Sequence, residues 1–272
     1  MNHLRVNDYD MAYIEVGGGP PLVCVHGSLC DFRVWSPVLG PLSHRHRVIV
    51  PSLRRFFPER WNGVGSGFTI AQHAADLIAF IERVGAGPVH LLGHSRGGHL
   101  AFRVAQQRPD LLRKLILAEP GGDLDASLAL ADTPVPSRAP LRAHVAAAAE
   151  KIAAGDIDGG LAYFWDAIEG QGAWLRLTAA AKQGLRDNAL TLLGQIDEAR
   201  RPYSRADAES IRVPTLFIGG QDTAGSLALI LRALAAHVQG ARVAMIPHAT
   251  HMMFEDDPVR FSSAVLDFLD AP

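Results

Sequence analysis

Short apolar runs alternate with longer segments of helical periodicity along most of the chain. Apolar runs bounded by Gly, Pro or polar residues predict buried strands, and apolar residues that recur every three or four positions predict helices. Residues 6–16 alternate in a way that predicts two short antiparallel strands. Further strands are predicted at 22–26, 47–50, 89–92, 115–118, 214–219 and 241–246, and helices at 32–42, 70–84, 97–108, 225–238 and 258–269.

This order of elements predicts an α/β fold with a mostly parallel, doubly wound sheet covered by helices on both faces. Ligands of such sheets bind at the carboxyl ends of the strands. The pattern breaks within residues 123–210, which have Ala-rich helical periodicity and no strand candidate. Helices are predicted there at 141–154, 161–168 and 174–188. We therefore expect a core of residues 1–122 and 211–272, with residues 123–210 as an all-helical cap or lid.

One strand-to-helix connection carries the most informative motif of the chain. An apolar run leads into Gly93-x-Ser95-x-Gly97, and a helical pattern follows. This is the sequence of a nucleophile elbow, where a serine occupies a strained turn and glycines permit close packing of helix and strand. An ordinary turn with an exposed serine is the alternative. The flanking strand and helix patterns favour the elbow, which would leave the Arg96 backbone N–H facing developing negative charge.

A serine hydroxyl is a weak nucleophile and needs a general base, which is oriented in turn by a carboxylate. Downstream of Ser95, Asp222 directly follows the strand at 214–219, and His251 lies in the loop after the strand at 241–246. Two alternatives exist. Glu119 follows the strand at 115–118, and His248 lies three residues before His251.

These motifs resemble those of the α/β-hydrolase superfamily, in the branch with a serine nucleophile and a helical cap. The resemblance covers nearly the whole chain, most specifically residues 21–120 and 213–269. It implies that Ser95 is the nucleophile, His251 the base and Asp222 the acid. Some members supply the acid from the position of Glu119, so that residue is the alternative acid. His251 is preferred to His248 because its spacing to a following proline matches the family.

The turn His26-Gly27-Ser28-Leu29 resembles the oxyanion loop of the same family, which implies backbone N–H donors at Ser28 and Arg96. His26 and His94 are expected as hydrogen-bonded supports. The loop at 51–61 departs from the family pattern, and its aromatic residues are expected either at the pocket mouth or packed beneath the cap. The candidates for pocket lining are Leu29, Phe56, Phe57, Trp61, Tyr163 and Trp165.

Composition excludes several classes of function. The net charge of −2 gives no reason to expect nucleic acid or an anionic membrane as a partner. No apolar run is long enough to span a bilayer and the N-terminus has no apolar targeting segment, so we expect a cytoplasmic protein. Cys24 and Cys30 predict no disulfide framework; Cys24 is expected to be buried, and Cys30 either buried or reactive. No metal-ligand spacing is present, and no cofactor is predicted.

The resemblance implies a serine hydrolase that cleaves a small-to-medium carboxylic ester or lactone through an acyl-enzyme. The only partner expected is a small-molecule ester-type substrate. Hydrolases of C–C bonds in dioxo acids and cofactor-free perhydrolases share the triad, and a C–C hydrolase would offer its acidic substrate a cation such as Arg96, Arg176 or Arg186. A non-catalytic small-ligand receptor on the same fold is the alternative from another class. Serine at the elbow disfavours the epoxide-hydrolase and haloalkane-dehalogenase branches, which use a carboxylate nucleophile.

Overall fold

The computed structural model describes residues 1–129, 139–196 and 198–271. Within these residues, eight strands form a single sheet. The strands are β1 (Asn2–Val6), β2 (Tyr9–Val16), β3 (Pro21–Val25), β4 (Arg47–Pro51), β5 (Val89–His94), β6 (Leu112–Ala118), β7 (Thr215–Gly220) and β8 (Arg242–Ile246).

The strand order across the sheet is β1-β2-β4-β3-β5-β6-β7-β8. β2 pairs antiparallel with β1 and with β4, and every other neighbouring pair is parallel. The expected mostly parallel sheet is confirmed. Because β3, β5, β6 and β7 are neighbours and run in the same direction, the loops that follow them meet at one edge of the sheet.

The helices of the core are α1 (Ser36–Ser43), α2 (Ile70–Arg83), α3 (Arg96–Gln107), α10 (Ser226–Ala235), α11 (Met253–Asp256) and α12 (Pro258–Asp270). Between β6 and β7 lie α4 (Ala139–Ala153), α5 (Ile157–Glu169), α6 (Ala173–Arg176), α7 (Ala179–Asp187), α8 (Thr191–Ile196) and α9 (Arg205–Glu209). We refer to residues 123–210 as the helical insertion; its residues 130–138 and 197 lie outside the described residues.

Successive residues of the central strands are buried in opposite faces of the sheet, as the period of two demands. Leu91, Leu117 and Phe217 belong to the cluster packed beneath α2, α3 and α10. Their neighbours Leu92 and Ile116 belong to the other cluster, which also holds apolar residues of α1 and α12. Continuous apolar runs are needed here because both faces of each strand are covered.

Helices α4 to α8 of the insertion join the second of these clusters, whereas Tyr203 and Ala208 at the end of the insertion join the first. Leu161, Phe164 and Trp165 of α5 pack in the same cluster as the face of the sheet that α1 and α12 cover. The predicted helix at 174–188 is divided into α6 and α7, because Leu177 is extended and Thr178 caps α7 by accepting a hydrogen bond from the Ala181 N–H. The short helices α8 and α9 carried no periodic signal and were not predicted.

Trp35 is a central packing element on the α1 side of the sheet. Its side chain is completely buried, and its ring stacks on Phe254 with 4.7 Å between the ring centroids. The Trp35 indole nitrogen has no hydrogen-bond partner among the described residues. Trp35 therefore stabilises the fold through apolar contacts of its ring, and its N–H contributes no hydrogen bond.

We expect Trp35→Ala to lower the free energy of unfolding by about 3–5 kcal/mol, the usual cost of an emptied aromatic site. Trp35→Phe retains one aromatic ring and leaves a smaller cavity, so it should cost clearly less than Trp35→Ala. Urea unfolding followed by circular dichroism measures both. Leu175→Ala, at a side chain that is 79% exposed, is the control and should change stability by less than about 0.5 kcal/mol. Equal losses for the two Trp35 variants would contradict the packing role.

Candidate active site

Ser95 lies in a turn that only close packing of its neighbours can hold. Its φ of 52° and ψ of −116° are strained for an L-residue, and it stands between β5 and α3. A Cβ on Gly93 would lie 2.2 Å from the Gly97 carbonyl oxygen, and a Cβ on Gly97 would lie 2.2 Å from the Val25 carbonyl oxygen. Both positions therefore require glycine. The Ser95 N–H donates to the Ala118 carbonyl at 3.0 Å, which ties the turn to β6.

The turn after β3 approaches Ser95 from the other side. A Cβ on Gly27 would lie 3.1 Å from the Ser95 Cβ, so the two backbones are nearly in contact. Ser28 and Arg96 line the same cavity as Ser95. Arg96 is the first residue of α3, so its N–H has no acceptor within the helix. Ser28 and Arg96 therefore remain the candidates for backbone N–H donors to an oxyanion.

His251 is buried in the loop after β8, and its Nδ1 lies 2.6 Å from the Glu119 Oε2. The other carboxylate oxygen of Glu119 accepts a hydrogen bond from the Gly220 N–H at 2.8 Å. Burial raises the pKa of Glu119 to about 7, and it lowers the pKa of His251 well below its ordinary value. The imidazole is therefore neutral at physiological pH and its Nε2 is available to accept a proton.

The expectation that Asp222 holds the histidine is corrected by this geometry. The Asp222 side chain is exposed, and its backbone N–H donates to the Ala249 carbonyl at 2.9 Å, which fixes the turn with the carboxylate in solvent. Glu119 follows β6, which lies between β5 and β7, and is therefore nearer to the elbow. His248 is likewise exposed, whereas His251 lines the cavity beside Ser95.

The cavity beside Ser95 has a volume of about 60 Å³ and is enclosed by the core and the helical insertion together. The core contributes Ser28, Ser95 and His251, and the insertion contributes Trp165 and Glu169, among others. A second cavity of about 400 Å³ adjoins it and shares Cys30, Trp165 and Met252 as lining residues.

The other aromatic candidates lie elsewhere. Phe56 is fully buried against His26 and Phe68, and Trp61 stacks on Phe68. Phe57 packs against Phe32 and under the Arg33 guanidinium, and Tyr163 is 42% exposed. None of these four lines the cavity beside Ser95, which corrects the expectation for them. Leu29 lines the larger cavity and not the one beside Ser95.

Burial also defines the chemistry of the remaining candidates. Both cysteines are buried, and burial raises the pKa of each thiol, so neither is a thiolate at neutral pH. His26 accepts a hydrogen bond from the Leu53 N–H through Nε2, which leaves its Nδ1–H to donate to the Gly27 carbonyl. His94 donates from Nε2 to the His251 carbonyl at 3.0 Å. No group of His, Cys, Asp or Glu within the described residues forms a metal site.

The side chain of Arg96 makes a fully buried ion pair with the helical insertion. Its Nη1 donates to the Glu198 Oε2 at 2.8 Å, and its Nη2 donates to the His73 Nδ1 at 2.9 Å. The Arg96 charge is therefore neutralised by Glu198 and does not serve a substrate. Arg176 and Arg186, the other expected cations, are on the surface, where Arg186 pairs with Asp158. Arg200 lines the cavity instead, and its Nε donates to Glu198 at 2.7 Å.

Glu169, Gln195, Glu198 and Arg200 are polar residues of the site that sequence reasoning missed. They lie in or after helices without a motif, and their partners are far away in sequence; Ser28 and Gln195, for example, are 167 residues apart. The only sequence signal was the presence of charged and amide residues within an otherwise Ala-rich insertion.

We expect Glu198→Gln to lower the free energy of unfolding by about 3–5 kcal/mol at neutral pH, because it leaves the buried Arg96 guanidinium without a counter-charge. Urea unfolding measures the loss. Burial alone would raise the pKa of Glu198, but Arg96 and Arg200 outweigh it and lower the pKa below its ordinary value of 4.5. The contribution is thus present above pH 4.5 and is lost as the pH falls below it, so the mutational difference should shrink there.

The matched control is Glu209→Gln, which removes an exposed partner of Arg205 in α9. An exposed pair of this kind contributes less than about 1 kcal/mol. Equal losses of unfolding free energy in Glu198→Gln and Glu209→Gln would show that the buried pair stabilises the fold no more than an exposed pair does.

Comparisons with known proteins agree on the fold. Residues 22–264 match the model of the alpha/beta hydrolase family. The enol-lactonase from Burkholderia xenovorans LB400 superposes with a TM-score of 0.79 at 19% identity, covering 99% of this chain and 100% of that one. A thermophilic esterase from Thermogutta terrifontis gives a TM-score of 0.79 at 23% identity, with 99% and 98% covered. At these identities the likeness concerns the fold alone.

The proteins that are similar to this chain in sequence are named for several different reactions. A soluble epoxide hydrolase from Corynebacterium sp. (strain C12) is 31% identical over 120 residues, which cover 42% of this chain and 39% of that protein, so the chain spans about two-fifths of its length. Haloalkane dehalogenase 2 of Mycobacterium tuberculosis is 25% identical over 264 residues, or 94% and 90% of the two chains. No helix among the described residues is long and apolar enough to cross a membrane. Because the family model matches residues 22–264, which are most of this chain, the chain belongs to the alpha/beta hydrolase family.

Proposed function

We propose that this protein hydrolyses a small carboxylic ester or lactone through an acyl-enzyme formed on Ser95. The observation that carries the proposal is the meeting of Ser95, in its strained turn, with the buried His251–Glu119 pair at one cavity. Serine at this position favours acyl transfer over the chemistry of the epoxide hydrolase and the dehalogenase, whose branches use a carboxylate nucleophile.

The mechanism follows from the charges at the site. Neutral His251 accepts the Ser95 proton as the hydroxyl attacks the acyl carbon, and later returns it to the leaving group. Glu119 then faces an imidazolium at 2.6 Å and stabilises it, so the proposal requires Glu119 to be ionised. The backbone N–H groups of Ser28 and Arg96 face the developing oxyanion, and each such donor contributes about 2.7–4 kcal/mol in rate terms. The helical insertion acts as the cap that encloses the substrate.

A second candidate function is hydrolysis of a C–C bond in a dioxo acid. The observation that favours it is Arg200, a cation on the cavity wall that shares the single Glu198 carboxylate with Arg96. A 2-hydroxy-6-oxo-2,4-heptadienoate hydrolase from Pseudomonas putida is 34% identical over 107 residues, which cover 38% of each protein. Steady-state rates on a short acyl ester and on a ring-cleavage dienoate separate the two candidates.

A fluorophosphonate probe tests the nucleophile directly. We expect it to label the folded protein at a single site, because only an activated serine reacts at a useful rate. Ser95→Ala should abolish labelling, whereas Ser226→Ala at the start of α10 should leave it unchanged. Intact mass spectrometry reads both. A folded protein that takes up no probe would refute the hydrolase proposal and favour a non-catalytic ligand receptor.

The acid is tested by comparing Glu119→Gln with Asp222→Asn. We expect Glu119→Gln to lower kcat by about 10²–10⁴-fold, because the imidazolium loses its counter-charge and its orientation. Asp222→Asn changes an exposed side chain and should stay within about twofold of wild type.

The pH dependence offers a second readout of the same prediction. Because the pKa of Glu119 is raised to about 7, wild-type kcat/KM should rise as the pH increases through about 7 and the carboxyl ionises. Glu119→Gln should lose this step. A large loss in Asp222→Asn, with Glu119→Gln fully active, would reverse the assignment.

A further inference from the structure

Four residues that line the cavity have a buried side-chain nitrogen or oxygen without a hydrogen-bond partner among the described residues: His94 Nδ1, Arg96 Nε, Glu169 Oε1 and Gln195 Nε2. Buried polar groups are paired in the great majority of cases, and an exception needs an explanation. Glu169 and Gln195 are the two of these that come from the helical insertion, and a bound substrate can supply the missing partner of each.

The orientation of the Gln195 amide is fixed by its neighbours. Its Oε1 accepts hydrogen bonds from the Ser28 Oγ at 3.0 Å and from the Arg200 Nη2 at 3.1 Å. A guanidinium can only donate, so the amide cannot be turned to bring its NH₂ group to Arg200. Gln195 therefore presents its NH₂ group as an unused donor. Its attachment to Ser28 places that donor on the oxyanion side of the cavity.

Glu169 lies beside the loop that carries His251, because the Thr250 hydroxyl of that loop is its neighbour. Burial raises the pKa of its carboxyl to about 7, although the Thr250 hydroxyl of that loop opposes the shift. A carboxyl oxygen accepts hydrogen bonds in either protonation state. Since the general base returns its proton to the leaving group, the leaving group lies on the His251 side, within reach of Glu169.

From these contacts we infer that the substrate carries oxygen functions on both sides of its scissile bond: an oxo acceptor on the acyl part, bound by Gln195, and a hydroxyl donor on the leaving group, bound by Glu169. This inference rests on the proposed acyl transfer at Ser95 and narrows its substrate class. Plain alkyl esters would leave both buried groups unpaired in the complex, which costs binding energy.

Two matched pairs of esters test the inference. Ethyl acetoacetate is compared with ethyl butyrate for the acyl side, and ethylene glycol monobutyrate with propyl butyrate for the leaving group. Each kcat/KM is divided by the rate constant of alkaline hydrolysis to remove intrinsic reactivity. We expect the wild type to prefer the oxygen-bearing ester of each pair by about tenfold or more, as an unpaired buried polar group predicts.

The variants give a crossed result. Gln195→Glu keeps the acceptor for Ser28 and Arg200 but loses the donor, so it should abolish the acetoacetate preference and leave the glycol preference. Glu169→Leu should do the reverse. Gln171→Glu and Glu150→Leu, at exposed positions of the same insertion, are the matched controls and should leave both preferences intact.

The outcomes separate this inference from the proposed function. Labelling of Ser95 together with equal rates on both esters of each pair would overturn the inference and leave the acyl-transfer proposal standing. The same holds if both preferences persist in the two variants. Absence of labelling at Ser95 would overturn both.

Discussion

The whole site depends on how closely α3 can approach β5 and β3. With glycine at positions 93 and 97, the helix packs directly on strand backbone, where any Cβ would lie about 2.2 Å from a carbonyl oxygen. That approach accompanies the strained, positive-φ conformation of Ser95, which directly precedes the first residue of α3. Local backbone strain of about 1–3 kcal/mol persists only where the surroundings impose it, and here the central strands of the sheet do so.

A second layer of the site comes from the helical insertion, and it is electrostatic. Arg96 and Ser28 line the cavity beside Ser95, and the side chains of both are bound by residues at the end of α8 and just after it. One carboxylate, Glu198, holds two guanidinium groups, those of Arg96 and Arg200. The insertion thus covers the cavity and also holds the side chains of the two core residues next to Ser95 in place.

Sequence predicted the parts of this protein that are set by local constraints. The alternating strands and helices, the glycines around Ser95 and the loop with His251 all follow from patterns within a few residues. Glu119 was only the alternative acid, because choosing between it and Asp222 requires knowing which of two loops turns its carboxylate inward. In the folded chain the Asp222 side chain is exposed, whereas the Glu119 side chain is buried against His251. Gln195 and Glu198 depend on contacts across more than 100 residues, which no periodicity encodes.

The buried Arg96–Glu198 pair has a consequence for the path by which molecules reach Ser95. Lifting that end of the insertion away from the core would separate two charges in a medium that solvates neither, at a cost of several kcal/mol. The opposite margin is held by the Arg33–Asp187 ion pair and by a hydrogen bond from the Asn188 amide to Asp31, and there Trp165 and Met252 line both the small cavity and the 400 Å³ cavity. Because Trp165 of α5 lines both cavities, rotation of its side chain is a movement that would join them without separating the buried Arg96 and Glu198 charges.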